Sequence, residues 1–348
     1  MMATGDLDRR HMAHALRLGR RGLGTVWPNP AVGCVIVRDG RVVGRGWTRP
    51  GGRPHAERVA LDQAGAGARG ATAYVTLEPC AHYGRTPPCA NALIEAGVAR
   101  VVTAMTDPDP RVSGRGHAIL RAAGIAVTEG ICGEMAARDQ RGFLNRLIRG
   151  RPLVTLKLAF TLDGRIATAT GESRWITGAQ ARTHVHVLRA AHDAIMVGGG
   201  TARADRPLLN VRGIATASQP VRIVVSSAAS LPDLPPEGPA FGPLWQVGGE
   251  LPGVMTDLAA RGLTRIFCEG GGHLAAALLR AGLVDEVVCY HAGRIIGAEG
   301  RAGVGAMALL SLAEAPRFHL AEIRRMGEDV MHRWQSVPAD CPADGPHV

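Results

Sequence analysis

The chain has 348 residues, 46% of them hydrophobic, a length and composition that suit two globular domains better than one core. Its net charge is +10, but aromatic residues make up only 4% and the arginines are scattered in short pairs, so a phosphorylated small molecule explains the sign as well as nucleic acid does, and charge alone does not choose between them. No apolar run reaches transmembrane length, and the first residues lack a basic segment followed by an apolar one, so neither membrane nor secretory segments are expected.

Residues 8–21 place Met12, Ala15, Leu16 and Leu18 at helical spacing, which predicts an opening helix. A loop at Trp27-Pro28-Asn29-Pro30 follows. Residues 31–37 and 41–47 are β-rich and meet at Asp39-Gly40, a hairpin signal. A helical run then opens at His55, residues 72–77 read as a strand, and Pro87-Pro88 before Cys89 reads as a helix start. Strands at 100–105 and 125–128 alternate with helices near 117–123 and 133–146. That alternation indicates a three-layer α/β domain. Gly65-Ala66-Gly67-Ala68-Arg69-Gly70 matches a dinucleotide fingerprint in letters only. It follows a helix and precedes a strand, the reverse of the required context.

This half holds His55, Glu57, Cys80 and Cys89. Catalytic zinc commonly takes three protein ligands and leaves the fourth position to water, whose pKa can then fall to about 7. One neutral imidazole and two thiolates cancel the charge of the ion. Glu57, two residues from His55, can face the water and carry its proton to a leaving amine. A free cysteine is often no more than a small hydrophobe. Here three potential ligands and a carboxylate occur in the order used by zinc nucleobase deaminases, each at an element boundary. Eight residues separate Cys80 from Cys89, where two are usual. Seven cysteines are an odd number, and two are claimed by metal. A disulfide framework is therefore not expected, and the cytoplasm is.

Residues 149–152 read as a linker. Beyond it, residues 153–158 form an alternating strand around Lys157, the single lysine of the chain. A compact ammonium that can lose its proton does what a guanidinium cannot. A turn at Leu162-Asp163-Gly164-Arg165, a polar loop over 171–177, a helix over 180–191 and a strand over 194–197 follow. That strand runs into Gly198-Gly199-Gly200-Thr201. Another strand covers 221–225. Residues 264–268 are a strand ending in Glu269-Gly270-Gly271-Gly272, with a helix over 273–281 after it; 283–291 and 318–334 supply further strands. Bare amides at a helix N-terminus bind phosphate oxygens, and two such loops suit a dinucleotide pyrophosphate. A tight turn needing positive φ explains either loop equally well.

Asn29-Pro30-Ala31-Val32-Gly33, His55-Ala56-Glu57, and Glu78-Pro79-Cys80 through Pro87-Pro88-Cys89 together resemble the deaminase domain of the bifunctional riboflavin-biosynthesis deaminase/reductases, as does Asp107-Pro108 with Gly114-Arg115-Gly116. In that family the long Cys–Cys spacing is usual. Residues 151–335 resemble its reductase domain through Lys157-Leu158-Ala159, Gly171-Glu172-Ser173, Trp175-Ile176-Thr177, Leu188-Arg189-Ala190, Gly198–Thr201 and Glu269–Gly272. The resemblance implies a cytidine-deaminase-like domain (1–149), a dihydrofolate-reductase-like α/β domain (150–337) and a tail (338–348) expected to be disordered. It implies zinc on His55, Cys80 and Cys89, Glu57 and Lys157 as catalytic groups, and NADPH as hydride donor. Asn29, His82 and Arg85 would meet the substrate of deamination. Ser173, Arg189, Leu209, Arg212 and Glu269 would meet the substrate of reduction. Ala159, Trp175, Thr201, Asp205, Ser227, Gly271, Gly272, His273, Leu274, Ala275, Ala276 and Ala277 would meet the cofactor. The family also implies a homo-oligomer assembled through the reductase domain. Two positions depart from its pattern: Arg206 stands where a second Asp is usual, and Ser226 stands where an acidic residue is usual.

Overall fold

A computed structural model of the chain describes residues 4–82, 87–109, 113–228 and 230–337. Arg85 and the tail 338–348 lie outside the described residues. The chain divides into two units, Met1–Arg151 and Pro152–Val348.

In the first unit, α1 (Thr4–Gly19) leads to the hairpin β1 (Gly33–Arg38) and β2 (Arg41–Trp47). Asp39 and Gly40 both have positive φ, 50° and 73°, as a two-residue hairpin turn of the primed type requires. Then come α2 (Ala56–Ala64), β3 (Thr72–Val75), α3 (Cys89–Glu95), β4 (Arg100–Thr103), α4 (Arg115–Ala122), β5 (Ala126–Thr128) and α5 (Gly133–Arg149). The sheet order is β2-β1-β3-β4-β5. β1 is antiparallel to both neighbours, and β3, β4 and β5 are parallel.

Strand alternation divides the core between the two faces. Cys34, Ile36, Ala73, Val75 and Val101 pack with Ala56, Ala60, Leu93 and Leu120 from α2, α3 and α4. Val35, Val37, Tyr74 and Val102 pack with Met12, Ala15 and Leu16 of α1 and Ala136 of α5. The three-layer arrangement is the one expected from the sequence. The seat of α2 depends on Gly44 and Gly46 of β2. A Cβ at Gly44 would stand 2.2 Å from the Ala60 carbonyl oxygen, and one at Gly46 would stand 2.1 Å from that of Ala56. Only bare backbone lets the helix that follows His55 lie this close to the sheet.

The second unit holds β6 (Leu153–Thr161), β7 (Arg165–Ala167), α6 (Ala179–Ala190), β8 (Ala194–Gly198), α7 (Gly199–Asp205), β9 (Val221–Val225), β10 (Leu244–Val247), α8 (Leu251–Ala260), β11 (Arg265–Gly270), α9 (Gly272–Arg280), β12 (Glu286–Ala292), β13 (Arg301–Ala302), β14 (Phe318–Met326) and β15 (Asp329–Ser336). Its main sheet runs β10-β9-β8-β11-β6-β12-β15-β14. The first six strands are mutually parallel, and β15 is antiparallel to both neighbours. Parallel strands are covered on both faces and therefore read as continuous apolar runs; β8 and β11 are such runs. On one face α6 sets Ala181, Val185 and Leu188 against Phe267, Val288 and Tyr290. Val185 and Leu188 each contribute about 1.5–3 kcal/mol by that burial.

Several elements differ from the sequence reading. β10 and the start of α8 fall in the Pro- and Gly-rich stretch 230–252. A four-residue, half-exposed edge strand carries too little pattern to be seen. The loop Gly198–Thr201 winds into α7, although two of its first three residues are glycine, the poorest helix former after proline. Packing of Ala202 against Ile195, Val197 and Val224 overrides that propensity.

Candidate active sites

In the first unit three element boundaries converge. His55 is the N-cap of α2, Cys80 follows β3, and Cys89 opens α3 behind Pro88. His55 Nδ1 lies 3.7 Å from Cys80 Sγ and 3.3 Å from Cys89 Sγ. All three atoms lie within 4.8 Å of one another. Tetrahedral legs of about 2.0 Å to nitrogen and 2.3 Å to sulfur require roughly 3.5 Å between such atoms, so the donor set fits zinc without rearrangement. The Cys89 amide donates to Cys80 Sγ at 3.3 Å. The Cys80 thiol is drawn down to about 4, first by the Cys89 thiol hydrogen bond, while that same bond pushes Cys89 up. A bound cation takes the place of the thiol protons on both sulfurs.

Glu57 stands beside this trio on the first turn of α2 and is 4% exposed. Burial first, then the Cys80 sulfur, pushes its carboxyl up to about 7. Asn29 is half-buried, with its amide nitrogen over Gly52 in the loop that leads to His55. His82 is exposed.

Glu78 had no role in the sequence reading. It is buried, and its carboxylate accepts four backbone N–H groups. Oε2 accepts from Asp107 at 3.1 Å and Gly114 at 2.9 Å; Oε1 accepts from Gly116 at 2.8 Å and His117 at 3.4 Å. The residue two before Cys80 is thereby tied to the start of α4. Glu78→Ala is expected to leave those amides unpaired and cost several kcal/mol, at about 1–3 kcal/mol for each unsatisfied group. Denaturant unfolding of the zinc-loaded protein, with zinc release followed alongside, measures it. Unchanged stability and unchanged release would mean that Glu78 does not hold the Cys80 segment.

In the second unit, Lys157, Arg189, Glu269, His186 and Arg212 share one charge cluster. Arg189 meets Glu269 through two bonds, Nε–Oε1 at 2.5 Å and Nη2–Oε2 at 3.0 Å, and donates from Nη1 to the Asn210 carbonyl at 2.8 Å. Its guanidinium is therefore already committed. Arg212 is exposed, and its N–H donates to His186 Nδ1 at 3.2 Å. Burial lowers Lys157 below its ordinary value, with Glu269 opposing and Arg189 adding to the shift. Burial pushes the Glu269 carboxyl up, but Arg189 and Lys157 more than offset it and hold it below the usual range. Leu209 is buried with φ 48°, a left-handed conformation that costs a branched residue about 1–3 kcal/mol and clusters at binding sites.

The two glycine-rich loops lie side by side at the carboxyl ends of β8 and β11. Thr201 Oγ1 donates to the Gly270 carbonyl at 3.1 Å. Of the residues at the start of α9, Ala275 already donates its N–H to Gly271 at 3.0 Å, and Ala275 and Ala276 are buried. The amides open to a ligand are those of Gly272, His273 and Leu274. Ala159 and Ser173 are half-buried, and Asp205 and Ser227 are exposed. Trp175 stands apart on the 171–177 loop, 62% exposed, with the Arg182 guanidinium 4.5 Å over its ring. His186 and Arg182 were not picked out from sequence; helical spacing to Arg189 is the signal that would have found them.

Residues 6–105 match the family described as the cytidine and deoxycytidylate deaminase zinc-binding region, and residues 152–332 match the RibD C-terminal domain. The riboflavin biosynthesis protein RibD of Escherichia coli (strain K12) is 44% identical over 358 residues, which cover 93% of this chain and 98% of that protein. The Haemophilus influenzae protein of the same name is 41% identical over 363 residues, covering 95% and 98%. Among solved structures, Acinetobacter baumannii RibD aligns with a TM-score of 0.86 at 39% identity, covering 96% of this chain and 99% of that one. The diaminohydroxyphosphoribosylaminopyrimidine deaminase/5-amino-6-(5-phosphoribosylamino)uracil reductase of Thermotoga maritima aligns with a TM-score of 0.86 at 31% identity, covering 96% and 100%.

Proposed function

The chain belongs to the RibD family of riboflavin biosynthesis proteins, and from that premise we propose how its residues divide the two reactions. It is a bifunctional enzyme, a zinc-dependent deaminase joined to an NADPH-dependent reductase. The first reaction removes the 2-amino group of 2,5-diamino-6-(5-phosphoribosylamino)pyrimidin-4(3H)-one by hydrolysis; the second reduces the ribosylamino group to ribitylamino. We assign residues 1–149 to the first and 150–337 to the second.

In the deaminase half, His55, Cys80 and Cys89 hold the metal, which when bound makes water nucleophilic at neutral pH. Glu57 takes the proton of the attacking water and delivers it to the departing ammonia. Asn29 and His82 orient the pyrimidine, and Arg85 meets the phosphate. The observation that carries this reading is the mutual approach of three ligand atoms beside a buried carboxylate. Among the described residues no fourth ligand joins them, and an open position is what distinguishes a catalytic from a structural zinc set.

In the reductase half, the cofactor supplies the hydride to C1′ of the opened ribose. Lys157 protonates or polarises the reacting nitrogen or hydroxyl. Arg212 is the exposed cation for the 5′-phosphate. Arg189 acts chiefly by holding Glu269 in place, and Ser173 and Leu209 complete the substrate pocket. Thr201, Gly271, Gly272, His273 and Leu274 line the pyrophosphate. Ala159 and Trp175 flank the nicotinamide side, Ala275–Ala277 continue α9 behind the pyrophosphate, and Asp205 and Ser227 flank the adenosine. Zinc content, together with NADPH oxidation on the deaminated intermediate, tests both halves at once. Absent zinc, or a deaminated intermediate that elicits no NADPH oxidation, contradicts the corresponding half.

We further infer a cytoplasmic homo-oligomer joined through the reductase half. No described helix is long and apolar enough to cross a membrane. The six described cysteines are free, which suits a reducing compartment. Leu320, Ile323 and Val330 are exposed on one face of β14 and β15, Ile323 to 64%, and a cluster of exposed apolar side chains suits a contact surface. Ile323→Asp is expected to shift the mass measured by light scattering from oligomer to monomer. An oligomer of unchanged mass moves the interface elsewhere, and a monomeric wild type ends the idea.

A further inference from the structure

Helix α6 meets the segment 209–212 at two points. Arg189 Nη1 donates to the Asn210 carbonyl at 2.8 Å, and three residues earlier on the helix His186 Nδ1 accepts the Arg212 N–H at 3.2 Å. Residues at this spacing share one helix face, so both side chains reach the same strap. The first three residues of the strap have other anchors. Leu209, Asn210 and Val211 are buried. Asn210 Nδ2 donates to the Ala240 carbonyl at 3.0 Å, and the Gln219 amide bonds both backbone groups of Val211, at 2.8 and 3.1 Å. Arg212 is where the strap leaves the core. It is exposed, and the bond to His186 is the one hydrogen bond it makes among the described residues.

The anchor suits its place by charge. An imidazole Nδ1 lone pair accepts a hydrogen bond without carrying negative charge. A carboxylate there would accept as well, but it would draw the Arg212 guanidinium to itself and repel a phosphate. Burial first, then Arg189 and Arg212, lower His186 below its ordinary value, against Glu269 and the Asn210 backbone. The lone pair is therefore free at neutral pH.

Resting on the reading that Arg212 meets the 5′-phosphate of the substrate of reduction, we propose that His186 is a positioning residue whose neutral acceptor fixes the Arg212 backbone and so aims its guanidinium at that phosphate. The effect passes through Arg212 and is confined to steps that read the phosphate.

Steady-state reduction of the deaminated intermediate by the full-length protein tests this, with ribose 5-phosphate as competitive inhibitor. His186→Leu removes the acceptor. It should raise KM and the inhibition constant of ribose 5-phosphate by roughly 3–10-fold, the value of one hydrogen bond, with kcat and NADPH affinity within about twofold. His186→Asn, whose side-chain oxygen can stand in for Nδ1, should recover part of the loss. His186→Glu keeps an acceptor but adds charge, and should raise KM more than His186→Leu does. Arg212→Ala should raise both constants by roughly 10–100-fold, the value of a charge-assisted contact. Adding His186→Leu to it should then cost no more than about a further twofold, because the two residues act as one unit. Wild-type KM in His186→Leu or His186→Glu, a loss in kcat as large as the rise in KM, or a His186→Leu penalty that persists in full beside Arg212→Ala overturns the positioning role. If His186→Leu melts below the assay temperature, His186→Asn and His186→Glu decide alone, and equal KM values for the two overturn it. Arg212→Ala without effect on either constant overturns the phosphate reading beneath it instead.

Discussion

Glu57→Gln is expected to lower deamination roughly 10²–10⁴-fold while zinc content stays at the wild-type level and reduction of the deaminated intermediate is unchanged. The amide matches the carboxylate in shape and keeps the seat on α2 beside His55. It cannot accept a proton from the attacking water. The three candidate ligands come from the N-cap of α2, the segment after β3 and the start of α3, and glutamine at 57 can still hydrogen-bond the Cys89 sulfur as Glu57 does. Metal analysis and the two separate assays read the three quantities. Surviving deamination would remove Glu57 from the proton path. Lost zinc would instead make Glu57 part of the metal's support, and the two results cannot be confused.

Lys157→Arg is the second large effect. It should reduce NADPH oxidation by about 10²-fold or more and leave deamination intact. The substitution keeps a positive charge opposite Glu269, so simple electrostatic loss is excluded as the cause. What changes is size and acidity. Burial already draws Lys157 below its ordinary value, which brings an ammonium closer to giving up its proton; a guanidinium stays charged throughout. The larger head must also fit beside the Arg189–Glu269 pair. NADPH binding measured by fluorescence should be preserved, because the lysine acts on the substrate rather than on the cofactor. A variant that reduces at the wild-type rate leaves Lys157 a counter-ion to Glu269 and nothing more.

The two effects fall on opposite halves of the chain, and each leaves the other activity standing. That separation is a further check on the assignment of roles. A single substitution that abolished both activities would point to unfolding rather than to lost chemistry, and thermal melting distinguishes the cases.

Much of this protein is written in its local sequence. The hairpin at Asp39-Gly40, the helix starts at His55 and Cys89, and the strands that run into the glycine loops all carry signals within a few residues of themselves. The zinc set was legible for the same reason: each ligand sits where one element passes to the next, and its spacing is a property of the chain. Contacts between distant segments have no such signature. Glu78 meets amides 29 to 39 residues away, Arg189 meets Glu269 across 80 residues, and Thr201 meets the Gly270 carbonyl across 69. Whether an arginine is committed to a carboxylate or open to a phosphate depends on which side chains the fold brings within about 3 Å, a distance that helical and strand periodicity leave undetermined.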